Sequence, residues 1–312
     1  MNAALPLPRH VIIEEEVLRD GLQNEKHPFS TNEKLRLIHA LIDAGVKRIQ
    51  VGSFVHPKWV PQMADTDEIF RRLAPVPGMT YTALVLNKKG LERAIACGAK
   101  HLSMSVSASE THSLKNTNCS TEEAWSRIES LILSAKEHGI TVRAGVMTAF
   151  GCAYEGPVSP ERVLHLVERY IALGVDEINL ADTAGLGNPR LVYTVVKEAK
   201  DIAGDIPISL HLHDTRGMGL ANLLSGLVAG ATIFDTCTGG LGGCPFIPNA
   251  AGNIATEDAV FMLNEMGIET GIDVPSICSI THSLEETLKR KLPSRLAGLP
   301  TSTPSCPTGM VS

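Results

Sequence analysis

Eight short β-branched runs alternate with longer amphipathic stretches, glycines recur at the junctions, and no Gly-x-Gly-x-x-Gly follows the first run. Together these predict an α/β fold of the (β/α)8 TIM-barrel class with a short C-terminal helical extension. The runs read as strands are residues 11–17, 48–51, 80–85, 101–106, 141–147, 177–180, 206–213 and 232–235. Between them, apolar residues recur at helical spacing. Leu35, Leu37, Ile38, Leu41 and Ile42 form one such face, and Val163, Leu164, Leu166, Val167 and Tyr170 another. The junctions Ala44-Gly45-Val46, Cys97-Gly98-Ala99, His138-Gly139-Ile140 and Leu173-Gly174-Val175 fit helices that end on glycine and feed the next strand. A doubly wound sheet alternates in the same way, but it has fewer strands and a glycine fingerprint after the first. Here the first run enters Leu18-Arg19-Asp20-Gly21 instead. Residues from about 260 onward, notably 283–292, read as closing helices. The chain is thus expected to form one catalytic domain over 1–297, with 298–312, rich in Pro, Ser and Thr, a disordered tail.

Composition narrows the function. At 312 residues the chain can bury a large core without disulfides, and 44% hydrophobic with 20% charged residues is ordinary for a soluble enzyme. The net charge is −6 and the longest basic block is Lys289-Arg290-Lys291, which excludes a nucleic-acid stripe. The seven cysteines have no CxxC spacing, against both a disulfide framework and a structural zinc site. No apolar run is long enough for a membrane span and residues 1–10 lack a signal-peptide layout, so a cytoplasmic setting is expected.

In a barrel of this class chemistry gathers at the C-terminal ends of the strands. That rule selects Arg19 and Asp20 after the first strand, Gln50 and Ser53 at the second, and Arg143 within the fifth. It also selects Asn179, Asp182 and Thr183 at the sixth, His211, His213 and Asp214 at the seventh, and Asn253 beyond the eighth. His211 and His213, two apart on a strand, face one side. Two imidazoles with the Asp20 carboxylate make a mixed nitrogen–oxygen site for a divalent ion such as Mg2+ or Mn2+. The same pair also fits two barrel-lining histidines held by hydrogen bonds. Cys244, in Gly239-Gly240-Leu241-Gly242-Gly243-Cys244-Pro245, sits where an exposed, mobile thiol could carry a proton. The other reading is a small buried hydrophobe. Arg19 beside a metal site could steady an enolate oxygen. Lys115 and Asn116 fall in a polar loop after the fourth strand, where plain solvated surface is the competing reading.

These segments resemble the 3-hydroxy-3-methylglutaryl-CoA lyase family, within the wider metal-dependent lyase and synthase group of TIM barrels. The matching stretches are LRDGLQNE (18–25), SFVHPKWVPQ (53–62), KNTNCS (115–120), DTAG (182–185), HLHDT (211–215), GGLGGCP (239–245) and GNIATED (252–258). They span residues 10 to about 290. The resemblance implies a divalent ion held by Asp20, His211, His213 and Asn253, with Asp20 or His211 as the base for the hydroxyl proton, Arg19 stabilising an enolate and Cys244 transferring a proton. It implies an acyl-CoA substrate cleaved between C2 and C3 to acetyl-CoA and a keto acid, and contacts from Asn116 to coenzyme A. Gln23, Gln50, Ser53, Arg143, Asn179 and Arg216 are the further candidates to line the substrate pocket. A homodimer is the family habit.

Several positions depart from the family pattern. Gln50 stands where the family has a glutamate, so the site is expected to be one unit less negative. Gly145 and Met147 stand for a tyrosine and a serine, Asn179 for a serine, and Arg216 for an aromatic or small residue. These changes raise (R)-citramalyl-CoA, with pyruvate as product, as an alternative substrate whose carboxylate Arg216 would hold. Two further alternatives are a synthase, whose relatives usually carry extra C-terminal domains, and a barrel that binds a CoA ester without catalysis.

Overall fold

Parallel pairing runs without interruption from the first strand to the eighth, and the eighth returns to the first, closing the sheet into a barrel. The computed structural model describes residues 7–243 and 252–299. In chain order the first half comprises β1 (Ile12–Glu15), α1 (Thr31–Asp43), β2 (Arg48–Ser53), α2 (Thr66–Arg72), β3 (Thr80–Leu84), α3 (Lys88–Ala96), β4 (His101–Ser107), α4 (Glu110–Thr117) and α5 (Thr121–Glu137). The second comprises β5 (Thr141–Met147), α6 (Pro160–Ala172), β6 (Glu177–Asp182), α7 (Pro189–Ala203), β7 (Ile208–Leu212), α8 (Gly219–Val228), β8 (Ile233–Thr236), α9 (Thr256–Glu265) and α10 (Val274–Leu288). All eight expected strands and the closing helices are present. Within the tail read as disordered, residues 300–312 lie outside the described residues.

Local chemistry explains the punctuation. Ser30 and Ser120 start α1 and α5 with capping boxes completed by Glu33 and Glu123. Gly45, Gly98, Gly139 and Gly174 all take positive φ, so the glycine junctions do end helices in the left-handed region. Amphipathic faces then pack on the sheet. Val163, Leu166, Val167 and Tyr170 of α6 are buried, and so are Leu35, Ile38 and Leu41 of α1.

Of the strand boundaries that differ from the sequence reading by a residue or two, two shape the site. The first strand stops at Glu15, and Val17–Gly21 form a single π-helical turn. A π-turn inserts an extra residue per turn and recurs at functional sites. Here it carries Arg19 and Asp20 over the barrel mouth. The seventh strand ends at Leu212, so His213 lies one residue beyond it, bridged to Asn253 in the return from the β8 loop.

Glu15 ties these segments together. Its buried carboxylate accepts from Val17 N (3.0 Å), Thr238 N (2.8 Å), Thr238 Oγ1 (2.8 Å) and Thr256 Oγ1 (2.6 Å). Burial nevertheless dominates and pushes its pKa up to about 7, with the Thr256, Thr238 and Val17 donors pulling back. A carboxyl raised above its ordinary 4.5 favours the fold most below that value, and the contribution is lost as pH rises towards 7. We expect urea unfolding of Glu15→Gln and wild type to show a gap that moves in the variant's favour between pH 5 and pH 8. The shift should be on the order of 3 kcal/mol. A gap that does not change with pH rules this account out.

Candidate active site

Polar side chains fill the inward positions of the barrel in two connected layers. The lower layer is ionic. Glu14 receives Arg48 Nε (2.6 Å) and Arg143 Nη1 (2.6 Å), and Glu177 receives Arg48 Nη1 (2.7 Å) and Arg143 Nε (3.3 Å). Arg143 also pairs through Nη2 with Asp235. Burial alone would push Glu14 up, but Arg143 and Arg48 hold its carboxyl well below the usual range. None of this layer except Arg143 stood out in the sequence. Its signal was the recurrence of polar residues two apart within buried strands: Glu14 and Glu16, Arg48 and Gln50, Glu177 and Asn179.

The upper layer holds the candidate ligands. His211 Nε2 lies 3.1 Å from His213 Nε2, and His213 Nε2 is 3.7 Å from Asp20 Oδ2. Asn253 Nδ2 donates to Asp20 Oδ2 (2.7 Å), while Asn253 Oδ1 is buried with no hydrogen-bond partner among the described residues. Gln23 Nε2 donates to Asp20 Oδ1 (2.8 Å). His211 Nδ1 is 3.1 Å from Asp235 Oδ2, a contact that orients the ring and leaves Nε2 facing its neighbour. Burial, with His213 adding to it against the Asp235 bond, lowers the His211 pKa and keeps the imidazole neutral. Burial pushes Asp20 up, but Arg19 and the two histidines outweigh it and hold the carboxyl far below its ordinary value.

These groups fit a divalent cation. The ligand atoms of Asp20, His211 and His213 all lie within 4.8 Å of one another. Two cis ligands at octahedral metal–ligand distances stand about 3 Å apart, close to the imidazole spacing observed here. The orphaned Asn253 Oδ1 adds a buried acceptor lacking a donor. Across both layers, the buried Glu14, Glu16, Asp20, Glu177 and Asp235 face Arg19, Arg48 and Arg143. The roof is close. A Cβ on Gly242, whose φ is +99°, would stand 2.6 Å from Asn253 Nδ2 and 2.9 Å from Asp20 Oδ2. Only glycine lets this loop descend onto the cluster.

Arg19 is held on three sides, through Nη1 by Asp20, through Nη2 by Glu16 Oε2 (2.8 Å), and through Nε by Gln50. Several residues expected to line the pocket have other roles. Arg143 is 2% exposed and committed to three carboxylates, which places it beneath the candidate ligands and not among them. Asn179 is buried and donates to Ser209 Oγ (3.0 Å) in the barrel interior. Arg216, exposed, donates to the carbonyls of Ala184 and Gly185 (3.0 and 2.9 Å) and thereby locks the β6 loop. Gln50 acts on Arg19 and on Glu14, and Ser53 is buried with its hydroxyl on Leu84 O (3.3 Å). Asn116 is exposed near the end of α4, its Nδ2 4.0 Å from Met147 Sδ at the end of β5. Lys115 lies over the Tyr154 ring at 4.9 Å. Cys244 lies outside the described residues.

The site does not resemble an isolated coincidence of motifs. The HMGL-like family profile matches residues 10–284. The hydroxymethylglutaryl-CoA lyase of Bacillus subtilis is 41% identical over 291 residues, covering 93% of this chain and 97% of its own. The mitochondrial hydroxymethylglutaryl-CoA lyase of Homo sapiens is 40% identical, covering 93% and 90%. Among solved structures, an HMG-CoA lyase from Acinetobacter baumannii, in complex with coenzyme A and 3-methylmalate, superposes with a TM-score of 0.90 at 38% identity. That match covers 96% of this chain and 98% of the other.

Proposed function

The chain belongs to the HMGL-like family, and on that premise we propose that it cleaves 3-hydroxy-3-methylglutaryl-CoA between C2 and C3, giving acetyl-CoA and acetoacetate. It is a carbon–carbon lyase acting on an acyl-CoA, as its relatives are. The observation that carries the reading is the meeting of Asp20, His211, His213 and the unpartnered Asn253 Oδ1 directly beside Arg19.

Asp20, His211, His213 and Asn253 would hold the cation, Mg2+ or Mn2+, which supplies Lewis-acid polarisation of substrate oxygens when bound. The 3-hydroxyl proton goes to Asp20. With Oδ2 as the ligand, Asp20 would take the proton on Oδ1 in exchange for a bond from Arg19 or Gln23, whereas His211 has its second nitrogen on Asp235. Loss of that proton turns the C3 oxygen into the ketone carbonyl as the C2–C3 bond breaks, and its electron pair becomes the enolate of acetyl-CoA. Arg19 meets this oxyanion. Three of its five N–H donors engage Asp20, Glu16 and Gln50, so two remain to stabilise the developing charge. Protonation of the enolate carbon falls to the Cys244 thiol, reached through Gly239–Gly243. Asn116, exposed at the rim, is placed for coenzyme A.

The citramalyl-CoA alternative loses its supports. Arg216 is engaged by backbone carbonyls, and Glu16 sets a carboxyl on Arg19 Nη2 beside the Gln50 contact at Nε. The reading is tested by acetyl-CoA release from a thioester panel that includes both substrates. Chelation with EDTA should abolish release, and Mg2+ or Mn2+ should restore it. Release that survives exhaustive chelation, or none from 3-hydroxy-3-methylglutaryl-CoA with either ion, overturns it.

A further inference from the structure

Glu16, the residue after β1, is wholly buried, and among the described residues its carboxylate has no hydrogen-bond partner beyond the ion pair with Arg19. An acidic group taken out of water with so few partners is expensive, so its retention needs a cause. Its one close contact is charged: Oε2 lies 2.8 Å from Arg19 Nη2, while Arg143 Nη1 stands 3.9 Å from Oε1. On the adjacent strand Gln50 reaches the same guanidinium, but as a neutral amide anchored on Glu14. Two neighbouring inward positions therefore grip Arg19, and only the one that follows β1 is a carboxyl.

We infer that Glu16 is the positioning residue for Arg19, the anionic anchor that fixes its guanidinium at the reacting oxygens, with Gln50 as the neutral half of the clamp. This rests on the lyase reading above. Glu16 also groups with His211 and Asp235 at ligand-like separations. However, His211 Nδ1 and Arg143 Nη2 already share Asp235 Oδ2, so the one imidazole nitrogen facing that group is engaged without an ion. Glu16 acts through Arg19 and not as a ligand.

The test is a double-mutant cycle with a charge transfer, run on the full-length enzyme in Mn2+. Glu16→Gln should lower kcat about 100-fold, as a misplaced catalytic group does, with KM changed less than threefold. In an Arg19→Gln background the same substitution should cost less than threefold, because its route of action is gone. Glu16→Gln with Gln50→Glu, which moves the charge to the other half of the clamp, should recover at least tenfold of the loss. Mn2+ affinity, read by electron paramagnetic resonance without turnover, should stay within threefold. An unchanged kcat in Glu16→Gln, full additivity with Arg19→Gln, no recovery on moving the charge, or a 100-fold loss of Mn2+ affinity each overturns the inference. Should Glu16→Gln not fold, the charge-transfer variant carries the test alone: inactivity in a folded protein, or failure to fold as well, counts against the inference. Wild type is assayed alongside. If it releases no acetyl-CoA the lyase reading fails, whereas an active wild type with an equally active Glu16→Gln sinks this inference only.

Discussion

Asp20→Asn is expected to lower kcat about 1000-fold or more, the largest effect of any single substitution proposed for this site. Asparagine keeps the size of the side chain but removes both of its functions. The amide is too weak a base to take the 3-hydroxyl proton, a contribution worth about 10²–10⁴ in rate. It also removes the charge that Arg19, His211 and His213 surround. The remaining geometry would be strained. Asp20 accepts from Arg19, Gln23 and Asn253 at once, and an amide offers one oxygen and two donors in place of two oxygens. Mn2+ affinity should fall by at least 10-fold alongside the rate. Single-turnover acetyl-CoA release at saturating Mn2+ separates the two losses. A variant that retains a tenth of the wild-type rate there would falsify the assignment of Asp20 as the base.

The second large effect is on stability. Arg143→Met leaves Glu14, Glu177 and Asp235 facing one another across the barrel with only Arg48 for compensation. Removing one member of a buried ionic network typically costs about 3–5 kcal/mol. In a chain of this size that lowers Tm by on the order of 10 °C. Adding Glu14→Gln should return part of the loss, since it removes one stranded charge. The alternative, that Arg143 binds substrate, predicts a raised KM with an unchanged Tm. Calorimetry and steady-state kinetics on the single variant decide between them.

The contrast between Arg143 and Asp20 shows what a linear reading can and cannot recover. The barrel was legible because period-2 and period-3.6 patterns are local, and so were the glycine junctions. The cluster of Asp20, His211, His213 and Asn253 was legible as well, because each residue sits in a long, distinctive motif at a strand end. Depth along a strand was not. Arg143 lies only two residues into β5, level with Glu177 on β6, and so at the bottom of the polar column. A rule that sends charged strand residues to the mouth misplaces it. Glu16 was hidden for a related reason. It was read as part of a continuous strand, and its proximity to Arg19 depends on the π-turn that follows β1. The carboxyl missing at Gln50 has a counterpart that the sequence reading did not single out, since Glu16, just after β1, reaches the same Arg19 guanidinium. Arg216 follows a motif at the barrel rim, but nothing in the sequence reveals that the carbonyls of Ala184 and Gly185 are in reach.

Pairing of β1 with β8 joins residues more than 200 positions apart, from Ile12 with Ile233 to Glu15 with Thr236. Asp20 and Asn253 stand on the two sides of that seam. A ribosome must therefore have synthesised nearly the whole chain before a complete coordination sphere can exist. Early intermediates own the imidazoles or the carboxylate, never both in place, and bind the ion poorly. Uptake of Mn2+ during refolding thus serves as a clock for ring closure: it should lag the formation of helix and coincide with the slowest, most nonlocal step.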